Sequence, residues 1–560
     1  MGYVSVQKTK VEVSNKPSND SDSLTKKSDN VNVNVDYYLS SDVESQDSSA
    51  PNPFKDPTVA QYYRKLYEAS EYECRAAFDP EFDWTPEEEK KLIRKLDWRV
   101  AFTACFMFVG LQVDRGNLAQ AVADNLLHDL KLNTNDYNLG NTLFLVSFLL
   151  AEIPSQLLSK AVGPDRFVPF QIISWSVVAI CQGAMTNKVG FYVCRVLIGL
   201  LEGGFIADLV LWLSYFYTSK ELPIRLSFFW TSLSLTQIAT SLLAFGILRM
   251  RGIGGLAGWR WLFIIEGIIT LLIGVWSIYA MVPSALQTKT KLNPKGWFTE
   301  REEKIVVNRV LRDDPSKGDM NNRQPLTLKQ VWRSLCDYDL WPVYIIGLVA
   351  YVPTATIQPY MTLTMKSLGF STFTVNLLFI PQAVGHIITL LLVTWVSERL
   401  NERSLVSLSL PLFTIPGMAA VRFWPGSMKQ PWPTFALVTI VLSAPYIHAI
   451  CVSWVSRNSN SIRSRSISSA VYNMCVQIGS IYSANIYRKD DKPLYKRGNS
   501  VLFAFSILIV PVLLLVKAYY VWRNNKKAGK WNAMTVEEQE NYILNTTDQG
   551  NKRLDFRFDH

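Results

Sequence analysis

The chain has 560 residues, of which 49% are hydrophobic and 19% are charged, whereas charged residues make up about 25% of ordinary soluble domains. The apolar residues form runs of about twenty residues or more, long enough to cross a bilayer as helices, so the composition excludes a soluble globular enzyme. Seven scattered cysteines exclude a disulfide scaffold, and the continuous apolar runs exclude an outer-membrane barrel. The net charge of +10 fits the basic loops of a membrane protein and does not indicate nucleic-acid binding.

The N-terminal segment, residues 1–98, is polar and has no long apolar run. Its Ser-, Asn- and Asp-rich composition predicts a disordered cytosolic tail that ends in a short amphipathic segment. No signal peptide is recognised at its start.

Twelve apolar segments follow, and each is predicted to be a helix because backbone groups in lipid must be bonded within their own segment. They lie at about 100–123, 138–159, 167–186, 189–217, 225–248, 259–282, 339–362, 373–396, 404–423, 432–455, 467–486 and 500–522. We number them spans 1 to 12.

The spacing of the spans predicts an all-α membrane protein with two six-helix halves. One half fills 99–283, a central loop fills 284–338, the second half fills 339–522, and a cytosolic C-terminal tail fills 523–560. Two such halves joined by a long polar loop are typical of a duplicated transporter whose site lies between the halves.

The even number of spans places both termini on one side of the membrane. Basic residues flank the first and last spans, so the positive-inside rule predicts that both termini are cytosolic. In the central loop, Thr299 and Glu302 have capping-box spacing, which predicts an amphipathic helix over 299–312 at the inner surface. The loop at 487–499 is basic although it falls outside, and its two aspartates only partly neutralise it.

Each charged residue inside a span costs roughly 2.5–3.5 kcal/mol of insertion free energy, so each is expected to have a structural or functional role. In span 1, Asp114 and Arg115 point about 100° apart, so one can face a cavity and the other a neighbouring helix; Asn117 follows them. In span 4, Arg195 and Glu202 share one helical face. A cavity-facing carboxylate near a basic group can load and release a proton. The alternative is static ion pairs between helices.

Other polar residues within the spans are candidates for substrate binding. Glu152 and Gln156 share a face of span 2, and the isolated Glu266 of span 6 is interpreted as structural. The second half contributes neutral groups that can bond a small polar substrate or, alternatively, hold helices together: Gln358, Gln382, His386, His448, Asn473 and Gln477. No His or Cys spacing indicates a metal site.

Two short charged turns are predicted to take part in gating. Asp165 and Arg166 follow span 2, and Glu398 and Arg399 follow span 8, the corresponding place in the second half. This match supports an internal duplication.

Several segments resemble the fungal allantoate permease family, the anion:cation symporter branch of the major facilitator superfamily. They are "VDRGNLAQA", "RVLIGLLEGG", "GWRWLFIIEG" and "SRNSNSIRSRSISSAVYNM", and the resemblance covers about 85–560. The resemblance implies proton-coupled uptake of a small organic anion (a carboxylate, vitamin, ureide or sulfonate) across the plasma membrane. It maps the proton-coupling motif to Arg195 and Gly199 and the span 1 motif to Asp114 and Arg115.

One departure concerns the loop after span 2, where "GPDRF" lacks the second Gly and Arg of the superfamily's gating motif. The expectation is a monomeric, multi-pass transporter that uses the proton gradient and needs no cofactor. A membrane enzyme would require a catalytic cluster that the sequence lacks. The alternative is a nutrient sensor that keeps the transporter fold without transporting.

Overall fold

The computed structural model describes residues 52–318 except 56, 219, 220 and 290–293, residue 332, and residues 335–560 except 460, 461 and 547–549. Regular structure in this part of the chain is entirely helical. Most of the predicted N-terminal tail, residues 1–51, lies outside the described residues.

The first half contains the six predicted spans within a few residues of their predicted bounds. They are Phe102–Ala123, Thr134–Val162, Pro164–Gln182, Lys188–Glu202 continued by Phe205–Ser214, Leu222–Ile247 and Gly258–Ala280. Span 4 is interrupted because Gly203 and Gly204 leave the helical conformation, Gly204 with a φ of +83°. That φ lies in the left-handed region, which glycine adopts without the steric cost of a side chain.

The second half contains the other six spans, several of them broken. They are Trp341–Val349 with Val352–Ser367, Thr372–Leu377 with Phe379–Leu400, Ser404–Ser407 with Ser409–Phe423, Pro431–Leu442 with His448–Ser459, Ile462–Ser483 and Lys496–Asn532. The prediction of one continuous span 10 over 432–455 is wrong. The helix stops at 442 and restarts at His448, since Pro445 lacks an amide hydrogen and disfavours helical conformation before it.

This all-helical arrangement of two halves confirms the predicted fold class of an all-α membrane protein. Eight helices within the described residues are long and apolar enough to cross a membrane by length and composition alone. We call the end of the bundle that carries the N-terminal segment, the central loop and the C-terminal segment the tail side, and the opposite end the far side.

The N-terminal segment and the central loop pack together on the tail side. Helix Pro86–Leu96 lies beside helix Glu300–Asp313, where Arg301 bonds Glu88 at 2.7 Å. The predicted capping box at Thr299 and Glu302 is present.

The same module continues towards the start of the described chain. Helix Pro57–Ala69 is joined to the loop by Tyr67, whose hydroxyl donates to the Pro315 carbonyl at 2.8 Å. The Asn308 side chain donates to the Ala77 carbonyl at 2.9 Å. The prediction of disorder over 1–98 therefore differs from the structure over the described residues 52–98, because these residues cover the apolar face of the loop helix.

The C-terminal segment returns to the tail side of the second half. Lys552 pairs with Asp339 at 2.6 Å, and the side chain of Phe558 is buried. The Asp559 carbonyl accepts a hydrogen bond from the Trp454 indole at 2.8 Å. The end of the chain thus holds together the tail-side ends of several second-half helices.

Hydrogen bonds close the two halves against each other at the far side. The Asn138 amide donates to the Tyr487 carbonyl at 2.6 Å, and the Asn485 amide donates to the Thr142 hydroxyl at 2.8 Å. The Thr372 hydroxyl donates to the Ala123 carbonyl at 3.1 Å.

Candidate functional site

Arg115 of span 1 forms an ion pair in the interior of the first half. Its Nε lies 2.8 Å from Oε2 of Glu202, and Glu202 is fully buried. The guanidinium of Arg115 also stacks on the ring of Phe148 of span 2, 4.9 Å from its centroid. This pair therefore joins spans 1, 2 and 4 with charged groups at one place.

Asp114 points away from this pair, as the angle between adjacent helical residues predicted. Its Oδ2 accepts a hydrogen bond from the indole of Trp175 in span 3 at 3.0 Å, and Thr270 of span 6 is a second partner. Glu266 is fully buried and close enough to Asp114 to interact with it electrostatically. Neither carboxyl has an ion pair with a basic group within the described residues, and Asp114 also interacts electrostatically with Glu202, so this acidic pair borders the Arg115–Glu202 pair.

Arg195 of span 4 lies near the Arg115–Glu202 pair. Its guanidinium stacks on Phe144, 4.5 Å from the ring centroid, and it interacts electrostatically with Glu202 and Arg115. Arg195 is buried, and its Nε has no hydrogen-bond partner within the described residues. Two guanidinium groups therefore share the neighbourhood of one fully buried carboxylate.

Glu152 of span 2 adds a second carboxyl to this cluster. It is buried and interacts electrostatically with Arg115. We name these four residues, Arg115, Glu152, Arg195 and Glu202, the charged cluster. Two basic and two acidic groups balance when all four are ionised, so one added proton leaves the charged cluster with a net positive charge.

Several buried polar atoms of the charged cluster and of Asn117 in span 1 have no hydrogen-bond partner within the described residues. Both amide atoms of Asn117 lack one within the described residues, as do Oε1 of Glu202 and Oε2 of Glu152. Most buried polar groups in proteins are hydrogen-bonded, so these atoms are available to a polar ligand or to water. Gln156 differs, because its amide donates hydrogen bonds to the Gly204 carbonyl at 2.9 Å and to Oδ1 of Asp208 at 3.1 Å.

Two of the predicted second-half residues bond the first half. The Gln237 amide donates to Oε1 of Gln382 at 3.2 Å, and the Ser234 hydroxyl lies 3.1 Å from Nδ1 of His386. Both contacts join span 5 to span 8, so in this conformation these side chains hold the halves together.

His448 lies at the centre of an aromatic cluster that the sequence analysis missed. Its ring is stacked 5.4 Å from Tyr446 and lies 5.4 Å from both Trp230 and Tyr472. Trp230 comes from span 5 of the first half. The break in span 10 brings Tyr446 beside the histidine, and Pro445 was the available signal.

The remaining predicted second-half residues are not brought together by hydrogen bonds. Gln358 is exposed, whereas Asn473 and Gln477 are half-buried on one face of span 11. None of the three side chains makes a hydrogen bond in the part of the chain that the structure describes. Their role in substrate binding stays a prediction.

The gating residues form different contacts in the two halves. Glu398 pairs with Arg403 at 2.8 Å and with Arg457 at 2.9 Å, whereas Arg399 is exposed and has no ion pair among the described residues. Asp165 lies 3.9 Å from the mostly exposed Arg166. The second-half turn therefore uses Arg403 and Arg457 where the sequence analysis named Arg399. Gating itself stays a prediction.

Comparison with known proteins agrees with this arrangement. The family model for the Major Facilitator Superfamily matches residues 101–484. An uncharacterized transporter of Saccharomyces cerevisiae is 48% identical over 524 residues, which cover 93% of this chain and 96% of that protein. The major facilitator-type transporter hxnP of Emericella nidulans is 29% identical over 417 residues, which cover 73% of this chain and 81% of that protein.

A solved structure shares the fold. It is the crystal structure of a bacterial homologue of the human lysosomal transporter Spinster, in an inward-facing and unoccupied conformation. It aligns with a TM-score of 0.54 and 15% identity and covers 78% of this chain and 97% of that chain.

Proposed function

The chain belongs to the major facilitator superfamily and is a multi-pass membrane transporter rather than an enzyme, and from this premise we propose that it is a proton-coupled symporter. Its substrate is a small organic anion such as a carboxylate, vitamin, ureide or sulfonate. Transport proceeds by alternating access of one central site to the two sides of the membrane. The protein acts as a monomer, with the proton gradient as its energy source.

The observation that carries this proposal is the charged cluster. Two guanidinium groups inside a bundle of membrane spans cost free energy unless acidic groups balance their charge or the protein uses that charge in binding. Arg115 already has Glu202 as its partner at 2.8 Å, whereas Arg195 rests on Phe144 with its Nε free of protein partners in the described chain. An anionic group is the natural partner for such a guanidinium.

Proton coupling follows from the charge balance of the charged cluster. A proton taken up by Glu202 or Glu152 leaves one guanidinium uncompensated, so the cluster then attracts an anion more strongly. Proton and anion therefore favour each other's binding, and this linkage acts in both directions. Once both are bound, the cluster is neutral again, which lowers the cost of exposing it to the other side.

The finer features of the proposal come from the sequence. The quoted motifs support the fungal allantoate permease branch, and the basic flanks of the first and last spans support cytosolic termini. With that orientation the tail side is cytosolic and the far side is external. We place the protein in the plasma membrane, where external acid supplies the proton.

The test is uptake into yeast cells that express the chain, using labelled allantoate, nicotinate, pantothenate and a sulfonate at external pH 5 and pH 7. We expect one anion to accumulate more strongly at pH 5 and this accumulation to be lost on adding a protonophore. No uptake of any anion, with the protein present at the cell surface, would contradict the proposal and favour a non-transporting sensor.

The Glu202→Gln variant tests the coupling step. We expect it to bind the transported anion with an affinity within about threefold of the wild type, because the glutamine amide mimics the protonated acid, and to lose accumulation driven by external acidity. Glu300→Gln, an exposed change in the central loop, is the matched control. Normal acid-driven accumulation by the Glu202→Gln variant would rule out Glu202 as the coupling group.

A further inference from the structure

A basic pocket lies at the far side, away from the charged cluster. Its volume is about 510 Å³, and it is lined by Asn135, Arg488, Lys489, Asp490 and Arg497. Asn135 belongs to the first half; Arg488, Lys489 and Asp490 belong to the loop after span 11, and Arg497 lies in the first turn of span 12. The pocket therefore lies across the junction of the two halves.

The loop at 487–499 has a positive charge that its own acids do not cancel. It contains five basic and two acidic residues, an excess of three positive charges. Arg497 is bonded to Asp490 and lies 3.8 Å from Asp491, and Asp490 also interacts electrostatically with Arg488, so two acids are shared among more basic groups than they can balance. Arg488 and Lys489 form no salt bridge within the described residues, and both are exposed at the pocket.

Neighbouring charges also indicate an uncompensated positive potential. Partial desolvation and then the positive charge of Lys489 lower the pKa of Lys492. Asp136, which follows Asn135 in the first half, is already paired with Lys188 at 2.8 Å and accepts from the Tyr192 hydroxyl at 3.1 Å. It is therefore not free to neutralise the loop.

The position of the loop is fixed by the first half. The backbone amide of Lys489 donates to Oδ1 of Asn135 at 3.2 Å, and the carbonyl of Tyr487, two residues earlier, accepts from Asn138 at 2.6 Å. The basic side chains consequently stand at the mouth of the far-side closure. An anion held there is placed where the halves must separate to admit it.

We propose that this pocket is an anion-collecting site, in which Arg488 and Lys489 bind the carboxylate or sulfonate of the substrate before it enters the central site. The inference rests on the proposed function as an anion symporter. The proposal also accounts for the basic charge of this loop. The positive-inside rule predicts few Lys and Arg residues in a loop on the external side. Clustered charge of one sign raises the local concentration of an oppositely charged ligand and speeds its association.

The kinetic test is the double variant Arg488→Gln with Lys489→Gln, assayed with the anion that the wild type accumulates. We expect KM to rise about three- to tenfold with the maximal rate within about twofold, since only capture is affected. Added salt should slow wild-type uptake at low substrate and have little effect on the variant, because exposed charges are screened within about 10 Å at 0.1 M. The matched control removes two other far-side lysines, Lys131→Gln with Lys429→Gln.

An unchanged KM and an unchanged salt response in the double variant would overturn the proposal. So would a KM effect that appears only in proteoliposomes containing anionic phospholipid, because the pocket would then bind a lipid headgroup. A KM rise in the control variant equal to that of the double variant would also overturn it, since net surface charge alone would then explain the result.

A second measurement works even if no tested anion is transported. The full chain carrying Cys181→Ser, Cys336→Ser and Asn135→Cys, in which the Asn138–Tyr487 hydrogen bond still holds the loop, is purified in detergent and reacted with an anionic and a cationic methanethiosulfonate reagent. We expect the anionic-to-cationic rate ratio at position 135 to fall at least threefold when Arg488 and Lys489 are replaced by Gln. An unchanged ratio would contradict the collecting site, whereas absence of uptake by the wild type alone would contradict the symporter.

Discussion

At the scale of single residues, the adjacent charges of span 1 have separate partners. Arg115 pairs with Glu202, whereas Asp114 bonds Trp175 and lies near Glu266. Removing one member of a buried pair costs far more than the pair contributes, since the other charge is left uncompensated. The charged cluster therefore borders an acidic pair that has no basic ion-pair partner among the described residues, with Asp114 near enough to Glu202 to interact with it electrostatically.

Arg195 gives the sharpest prediction at this scale. Arg195→Gln removes a guanidinium that has no ion pair among the described residues, so we expect KM for the transported anion to rise at least tenfold. Arg195→Lys keeps the charge but loses the planar stacking on Phe144, so we expect an intermediate KM. Uptake kinetics measure both variants.

The exposed Lys429→Gln serves as the control for Arg195. If Arg195→Gln and Arg195→Lys show wild-type KM values, Arg195 does not bind the substrate. A fall in maximal rate with unchanged KM would instead indicate a role in the conformational change.

At the scale of elements, glycines set the distance between spans 2 and 4. A Cβ at Gly199 would lie 2.4 Å from the Phe144 carbonyl oxygen, and one at Gly203 would lie 2.6 Å from the Ala151 Cβ. Such contacts leave no room for a side chain, so the two helices pack backbone to backbone. The Phe144 that meets Gly199 is the same residue on which Arg195 stacks.

Gly199→Ala should therefore disturb both packing and the site. The backbone carbonyl of Phe144 cannot move aside as a flexible side chain would, so we expect a loss of about 1–3 kcal/mol in stability. Thermal unfolding in detergent and the amount of protein at the cell surface measure this loss.

Gly246→Ala is the matched control, because a Cβ at that position in span 5 meets no atom within 4 Å outside its own stretch of helix. We expect this control to unfold at the wild-type temperature or slightly higher, since alanine favours a helix over glycine. Equal stability of the two variants would contradict the packing argument for Gly199.

At the scale of the whole molecule, the two halves are closed together at the far side. Tyr360 packs edge-to-face on Tyr137 and Tyr487 and donates a hydrogen bond to Asn138, so aromatic and amide groups from both halves meet there. Further contacts join the halves nearer the middle, through Gln382 and His386. Alternating access requires that the far-side contacts separate during each transport cycle.

Trapping the far side closed should therefore stop transport. Asn485 and Thr142 are in hydrogen-bond contact at 2.8 Å, so cysteines at both positions are expected to cross-link on oxidation. We expect the oxidised Thr142→Cys, Asn485→Cys double variant to lose more than nine-tenths of its uptake and to regain it on reduction. Each single cysteine variant, oxidised in the same way, is the control. Full uptake by protein shown to be cross-linked would argue against opening at this place.

Local signals in the sequence predicted the spans apart from the break in span 10, the two halves and the amphipathic loop helix, because hydrophobicity and capping act within short segments. The sequence also predicted that the side chains of Asp114 and Arg115 point in different directions, since helical geometry is local. Three features appear only in the folded chain: Arg115 pairs with Glu202, Arg403 and Arg457 pair with Glu398, and the described residues of 52–98 and 550–560 dock on the tail side. These outcomes depend on which helices become neighbours, and packing between segments far apart in the chain leaves no periodic signal within any one of them.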